Sequence, residues 1–198
     1  MFHYIPCEIP GCPHPATAHR TLCYGHLEDK DAYREEIRGR LSRETSFSNL
    51  VLPYVEFADL DLRGKTFLVC GFSHAVFRNV DFSEAVMRLC FFDFADLENC
   101  RARNMEMRNC VFAGSRIRIC DLEGSNLLQV NFNDIDCSDV CFNRTDLYNS
   151  RFIGGSLTDV TYIDCNLKNV DFRRSRRDRV TFKYSNNGDA IFDDRNPG

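Results

Sequence analysis

Four residues near the N-terminus have the types and spacing to hold a metal ion. Cys7, Cys12, Cys23 and His26 fall in the order C-x4-C-x10-C-x2-H. Zn²⁺ takes four tetrahedral N or S ligands, and two short-spaced pairs joined by a loop supply them from two chain segments. Pro10 and Gly11, inside the first pair, favour the tight turn that a metal knuckle requires. The spacing predicts that His26 opens a helix, placing Cys23 and His26 on one face of its first turn. Ordering about twenty residues costs roughly 30 kcal/mol. Ile5, Ile9, Leu22 and Leu27 are few apolar side chains to set against that cost. A structural Zn²⁺ contributes about 10–16 kcal/mol, so without metal the segment is expected to be largely unfolded. Four protein ligands close the site and leave no position for a catalytic water, which points to a structural ion rather than a hydrolase centre. The alternative is a metal-free Cys-rich loop. His14 and His19 are spare donors, but neither pairs with Cys12 or Cys23 at a better spacing.

The run Cys7-Glu-Ile-Pro-Gly-Cys12 with Leu22-Cys23-Tyr24-Gly25-His26 resembles the small treble-clef zinc knuckles found at the ends of many bacterial proteins. That resemblance implies binding of nucleic acid, binding of protein, or a structural role alone. Elsewhere the chemistry is sparse. The histidines are confined to positions 3, 14, 19, 26 and 74, and no Ser/His/Asp or Cys/His order and no Gly-rich phosphate loop accompanies them, so no enzyme is expected. His74 reads as a surface residue. Of the other eight cysteines, six share one position of a repeat and read as small apolar fillers. Cys141, at an outward position, is the best candidate for a reactive thiol. Arg173, Arg174, Arg176, Arg177 and Arg179 form the densest basic cluster. Arg173, Arg174, Arg176 and Arg179 are candidate contacts to phosphate or to an acidic partner; a solubilising end is the alternative.

Stepping along the chain in fives from Phe57 to Phe192, 26 of 28 positions are apolar, the exceptions being Arg177 and Asn187. The residue two before each is small in most units, with Lys65 the sole charged member, while the rest are rich in Asp, Asn, Arg, Ser and Thr. Leu50, Leu52 and Phe47 extend the pattern upstream. On an α-helix five residues advance ~500°, scattering such a series around the axis. On a straight strand an odd step sends alternate members to opposite faces. A chain that turns a corner every five residues buries both series. Phe72, Phe92, Phe112, Phe132, Phe152, Phe172 and Phe192 recur at twenty residues, which sets four sides per turn. Seven coils at ~4.8 Å make a rod roughly 34 Å long. Ala102 and Cys137 are small for the inward position and require larger neighbours. Arg177 and Asn187 predict either an end near residue 184 with Phe192 folded back, or a last, poorly filled coil.

Ala95-Asp96-Leu97-Glu98-Asn99, Cys120-Asp121-Leu122-Glu123-Gly124, Cys165-Asn166-Leu167-Lys168-Asn169 and Val170-Asp171-Phe172 resemble the pentapeptide-repeat motif, from about residue 50 to 192. The resemblance implies an all-β solenoid, a right-handed quadrilateral (square) β-helix of about seven coils, here preceded by the small zinc knuckle and a short capping helix. The helix is expected within residues 27–44, where Tyr33, Ile37 and Leu41 form a narrow apolar stripe and Glu36 and Arg40 stand at i, i+4. The expected organisation is a knuckle over 1–28, a helical connector and cap over 29–46, the repeats over 47–192 and a tail over 193–198.

Hydrophobic residues at 43% and charged residues at 27% describe a globular chain. No apolar run approaches the ~18–20 residues of a membrane span and no signal-peptide pattern is present, so a cytoplasmic protein without membrane attachment is expected. The leading expectation is a non-enzymatic scaffold that presents a flat surface to an unidentified protein partner. A second reading follows from the resemblance: some pentapeptide-repeat proteins, including quinolone-resistance determinants, mimic duplex DNA and bind type II topoisomerases such as gyrase. Their rods are acidic and usually dimerise through the C-terminal end. Here residues 47–172 carry 18 acidic and 12 basic residues, a net of −6, and residues 173–198 carry 4 and 7, a net of +3. The rod is thus only mildly acidic and its end is basic. Nucleic-acid binding through the knuckle and the Arg cluster is the third reading and is not favoured.

Overall fold

The computed structural model describes residues 5–193. After a 3-10 turn at Tyr24–His26, helix α1 spans Lys30–Arg43 and short parallel strands follow at steps of ten or twenty residues. Strands β1 (Ser46–Ser48), β3 (Thr66–Leu68), β5 (Val86–Arg88), β7 (Glu106–Arg108) and β9 (Asn126–Leu128) form one sheet. Strands β2 (Glu56–Ala58), β4 (Val76–Arg78), β6 (Asp96–Glu98), β8 (Arg116–Asp121), β10 (Asp136–Cys141), β11 (Ser156–Thr161) and β12 (Arg176–Asp178) form the other. Paired residues lie twenty apart throughout, as in Phe57↔Phe77 and Phe67↔Met87. Two further sides are joined by single bridges at the same spacing, Asp61↔Asp81 and Gly71↔Phe91 among them. The rod is a β-solenoid with four sides. In chain order these are face A (the seven-stranded sheet), face B, face C (the five-stranded sheet) and face D, which carries the phenylalanine column.

Both inward series are buried from Val55 to Phe172, as expected, and become half-buried or exposed beyond it. Along face D every ring stacks on the next, with centroids 4.6–5.3 Å apart from Phe72 to Phe192. Neighbouring faces meet edge-on, as Phe142 and Phe152 do at 86°. The small series does more than fill space. Thiols and hydroxyls donate to carbonyls 23 residues earlier: Cys90 to Phe67 at 3.5 Å, Ser115 to Phe92 at 2.6 Å, Ser150 to Leu127 at 2.6 Å. At Cys90 the hydrogen bond with Cys110, together with burial, pushes the thiol up to about 12, although the contact with Cys70 lowers it. Around Ala102 the large neighbours are Met105 and Met107, and a cavity of about 20 Å³ remains. Near Cys137 and Cys165 the Tyr162 hydroxyl is fully buried and, among the described residues, without a hydrogen-bond partner.

The corners have their own rule. Every fifth residue from Asn49 to Tyr184 sits in the left-handed region, with φ between 52° and 75°. Asn and Gly tolerate it, and Asn99 donates to Asn79, and Asn79 to Asp59, up one corner. Val69 (φ 55°) and Ile119 (φ 53°) are β-branched residues held there against their preference.

The two ends differ. Helix α1 is capped by Asp29, whose side chain accepts from the Ala32 N–H at 2.8 Å, and buries Tyr33, Ile37 and Leu41 on the first coil. Arg38 donates to the Ala58 and Asp59 carbonyls, covering a strand edge, and the Lys65 ammonium donates to Glu44 O at 2.8 Å at the helix C-terminus. The expected Glu36–Arg40 pair does not form: Arg40 pairs with Glu44 at 2.8 Å and Glu36 with Arg20. At the other end the last coil survives. Ile191 bridges Asp171, Phe192 stacks on Phe172, and Asn187 lies in a 3-10 turn. Arg177 does not point into the core as its register predicts; β12 is exposed throughout, and the Arg177 guanidinium lies 4.8 Å over the Phe192 ring. Burying an unpaired guanidinium would cost far more than that exposed cation–π contact forgoes. Expected tail residues 194–198 lie outside the described residues, apart from Asp193. Among the described residues no helix is long and apolar enough to cross a membrane.

Candidate metal centre

Residues 6–26 form a compact knuckle with almost no core of its own. Pro6 and Pro15 make an antiparallel bridge, Cys7 N–H donates to His14 O at 3.2 Å, and Cys12 N–H closes the turn onto Ile9 O at 3.1 Å. Gly11, at φ 79°, supplies the left-handed step in that turn. Glu8 N–H donates to Thr21 O at 3.0 Å, which brings the second segment alongside the first. His26 does not open an α-helix. Cys23 precedes the 3-10 turn Tyr24–His26, and α1 starts only at Lys30, after its Asp29 cap. The consequence for the donors is the one expected, because residues three apart eclipse in a 3-10 turn.

The donor atoms of Cys7, Cys12, Cys23 and His26 all lie within 4.8 Å of one another. Cys12 Sγ is 3.8 Å from Cys23 Sγ, and His26 Nδ1 is 3.4 Å from Cys7 Sγ and 3.3 Å from Cys23 Sγ. Tetrahedral bonds of ~2.3 Å to sulfur and ~2.0 Å to nitrogen give edges of about 3.8 Å and 3.5 Å. The cluster fits a four-coordinate ion. Burial raises the Cys7 thiol, but hydrogen bonds from the Cys23 and Ile9 backbone, with His26 and Cys12 beside it, bring it down to about 6. The Cys23 N–H stands 3.3 Å from Cys7 Sγ, a contact that favours thiolate. His14 and His19 are engaged elsewhere: His14 Nδ1 is 3.4 Å from the Tyr54 hydroxyl, and His19 Nε2 meets Arg40.

The knuckle is fastened to the rod. Ala18 N–H donates to Val51 O at 2.7 Å, so the first coil's free edge on face D is paired by the knuckle. The buried Thr17 and Tyr33 hydroxyls share a hydrogen bond of 2.7 Å, and Tyr33 also donates to Ala18 O at 3.1 Å. On the other side of the knuckle, a groove of about 410 Å³ runs between Pro13, His14 and Pro53, Tyr54, His74. His74 is a surface residue but not an isolated one. It stacks between Tyr54 at 4.7 Å and Phe94 at 5.1 Å, in a column the twenty-residue spacing of 54, 74 and 94 could have revealed.

The C-terminal arginines do not converge on one point. Arg173 is held by Asp171 at 2.5 Å, and Arg179 by Asp159 at 2.6 Å and Asp178 at 2.5 Å. The Arg174 backbone N–H donates to Asp193, while Arg176 lies exposed on β12. Cys141 is half-buried on face B.

Residues 90–129 match the family model of pentapeptide repeats (8 copies). No curated protein matches the chain. Among solved structures, full-length QnrB1, a plasmid-mediated fluoroquinolone resistance protein, is similar with 18% identity and a TM-score of 0.41, over 77% of this chain and 87% of that one. HetL of the cyanobacterium Nostoc sp. strain PCC 7120, a pentapeptide repeat protein involved in heterocyst differentiation regulation, shows 14% identity and a TM-score of 0.26 over 81% and 96%. Rfr23 of the cyanobacterium Cyanothece 51142 shows 11% and 0.30 over 78% and 96%. The register of residues 90–129 continues unbroken through the paired strands on either side of them.

Proposed function

We propose that the chain is a non-enzymatic interaction scaffold: a stiff rod of pentapeptide repeats bearing a knuckle ordered by a structural Zn²⁺ on Cys7, Cys12, Cys23 and His26. The observation that carries this reading is the division of labour within each unit. From Phe57 to Phe172 the inward positions are buried, with a cavity of about 20 Å³ beside Ala102, while outward positions differ in chemistry from face to face. Such a surface recognises by shape and charge pattern, and the knuckle, hydrogen-bonded to Val51 and Tyr33, adds its own edge to it. Zinc is favoured over other ions by the soft three-thiolate, one-imidazole donor set and its tetrahedral edges. The test is photo-crosslinking of the full-length, zinc-loaded chain in an extract of its source cells. A protein captured in defined proportion and displaced by excess unlabelled chain supports the reading; recovery of nucleic acid alone, or of nothing above an unrelated rod, refutes it.

The gyrase-binding DNA-mimic reading requires rows of carboxylates free to replace phosphates. Here a run of carboxylates on faces A and B is neutralised in place: Asp96 by Arg116 at 3.6 Å and Arg118 at 3.4 Å, Glu98 by Arg78 at 3.6 Å, Asp121 by Arg103 at 2.5 Å and Glu123 by Arg144 at 2.8 Å. Inhibition of gyrase supercoiling by the purified protein would restore that reading.

A further inference from the structure

Of the three thiols in the candidate metal cluster, those of Cys7 and Cys23 are buried, while Cys12 is half-buried and lines the groove of about 410 Å³ between the knuckle and the rod. Its chain neighbours Gly11 and Pro13 are exposed, and a Cβ added at Gly11 would meet nothing within 4 Å. A small solute therefore reaches the cluster first at Cys12. The second sulfur is already beside it: Cys23 Sγ lies 3.8 Å from Cys12 Sγ, and buried Cys23 stands immediately before the 3-10 turn. Cys7 Sγ is engaged elsewhere, 3.3 Å from the Cys23 N–H and 3.4 Å from His26 Nδ1. The rod is shielded from the same chemistry. Its cysteines are buried apart from the half-buried Cys141, and thiols such as Cys70, Cys90 and Cys165 donate to carbonyls 23 residues earlier.

Resting on the zinc reading of the knuckle, we propose that Cys12 and Cys23 form a peroxide-sensitive switch: oxidation joins them in a disulfide, expels the metal ion and uncouples the knuckle from the first coil. The oxidant is hydrogen peroxide, one molecule per cluster. The Cys12 thiolate attacks one peroxide oxygen, the O–O bond breaks, and the sulfur becomes a sulfenic acid as hydroxide leaves. The Cys23 thiolate then attacks that sulfur, the S–O bond breaks and a second hydroxide leaves, giving the disulfide. Two thiolates have lost two electrons to one peroxide. Cys7 and His26 alone supply half of the four donors that Zn²⁺ needs, so the ion is released. The disulfide ties residue 12 to residue 23 but leaves the Cys7 segment without its anchor. That segment carries Pro6, which bridges Pro15, and Ile5, whose carbonyl accepts from the Ala16 N–H at 2.7 Å. Once it loosens, residues 16–18 lose their support on that side, and the Ala18 N–H lets go of Val51 O.

The test treats the full-length, zinc-loaded chain with hydrogen peroxide and follows zinc release with a chromogenic chelator, thiol pairing by peptide mass mapping, and hydrogen exchange of the Ala18 amide. The expected result is release of about one zinc per chain, a Cys12–Cys23 disulfide, faster exchange at Ala18, and reversal of all three by dithiothreitol with added Zn²⁺. Cys12→His keeps a zinc donor but removes the oxidisable sulfur, and should slow release about ten-fold or more. Cys141→Ser should leave release unchanged. Zinc retained under peroxide, a different pairing, damage that dithiothreitol does not reverse, or unchanged exchange at Ala18 overturns the switch while leaving the zinc reading intact. Release from Cys12→His as fast as from the unaltered chain does the same. A chain that takes up no Zn²⁺ at all overturns the zinc reading, and the switch with it.

Discussion

The knuckle and the rod are neighbours ordered by different physics. In the rod each coil buries two side chains per side and hydrogen-bonds to the coils before and after it, so order is spread over many similar interfaces. In the knuckle, Cys7, Cys23, Ala16, Thr17 and Tyr24 are the buried residues, and two of those belong to the candidate metal cluster. On the proposed zinc reading, a small segment ordered through one ion responds to its environment in a way that a stack of coils does not. On that reading a stimulus acts at the N-terminal end, with the rod as the fixed frame.

Removing the metal tests this most strongly. Chelation, or Cys23→Ser, should cost the knuckle on the order of 10 kcal/mol. Hydrogen exchange should then show protection lost over residues 6–26 and kept over the coils from Phe67 to Phe172; simultaneous loss in both would show that the rod depends on the ion. The reverse insult is Phe132→Ala in the middle of the column, which should destabilise the rod by about 3–5 kcal/mol in chemical denaturation. About one zinc per chain should remain bound to that variant under native conditions, and release of metal would break the separation from the other side.

Tyr33→Phe sharpens the junction. It leaves Thr17 without its buried partner at 2.7 Å and should cost about 1 kcal/mol, read as faster exchange of the Ala18 amide while coil amides stay slow. The smallest effect is set by pH and belongs to the rod. Hydrogen bonds from Arg173, outweighing burial, hold the Asp171 carboxyl below its ordinary value, and those from Arg63 bring Asp61 down to about 2. A lowered folded-state pKa contributes stability that is present above the ordinary carboxylate value near 3.8 and is lost as pH falls toward the folded value. The rod should therefore weaken between about pH 4 and 2, and Asp171→Asn should flatten that slope; a slope unchanged by the substitution would remove the Arg173 pair from the account.

Much of the rod is legible in the sequence because the five-residue period is compatible with neither helix nor strand, so the apolar series dictates its own geometry. The ring column from Phe72 to Phe192, the inward small series and the cap stripe of Tyr33, Ile37 and Leu41 are all visible that way. The corners are not. Their constraint is on φ rather than on polarity, and residues as different as Asn99, Val69, Arg144 and Gly154 satisfy it. Arg177 misleads because register alone assigns it inward, whereas β12 is exposed throughout and its guanidinium lies over the Phe192 ring. Around the metal cluster the ligand spacing is readable, but the docking through Thr17, Tyr33 and Val51 is not, since those residues meet across 16 and 34 positions with no periodic signature.

The unbroken twenty-residue registration gives the rod a property that ordinary folds lack: its surface is addressed by phase. Inserting one coil's worth of sequence would lengthen the molecule and return every later residue to the same compass direction. Inserting a single five-residue unit would keep apolar side chains pointing inward yet swing everything downstream by a quarter turn, carrying Leu128 and Tyr148 away from Arg88 and Arg108. The length of an insertion, more than its composition, would decide which residues still look out together.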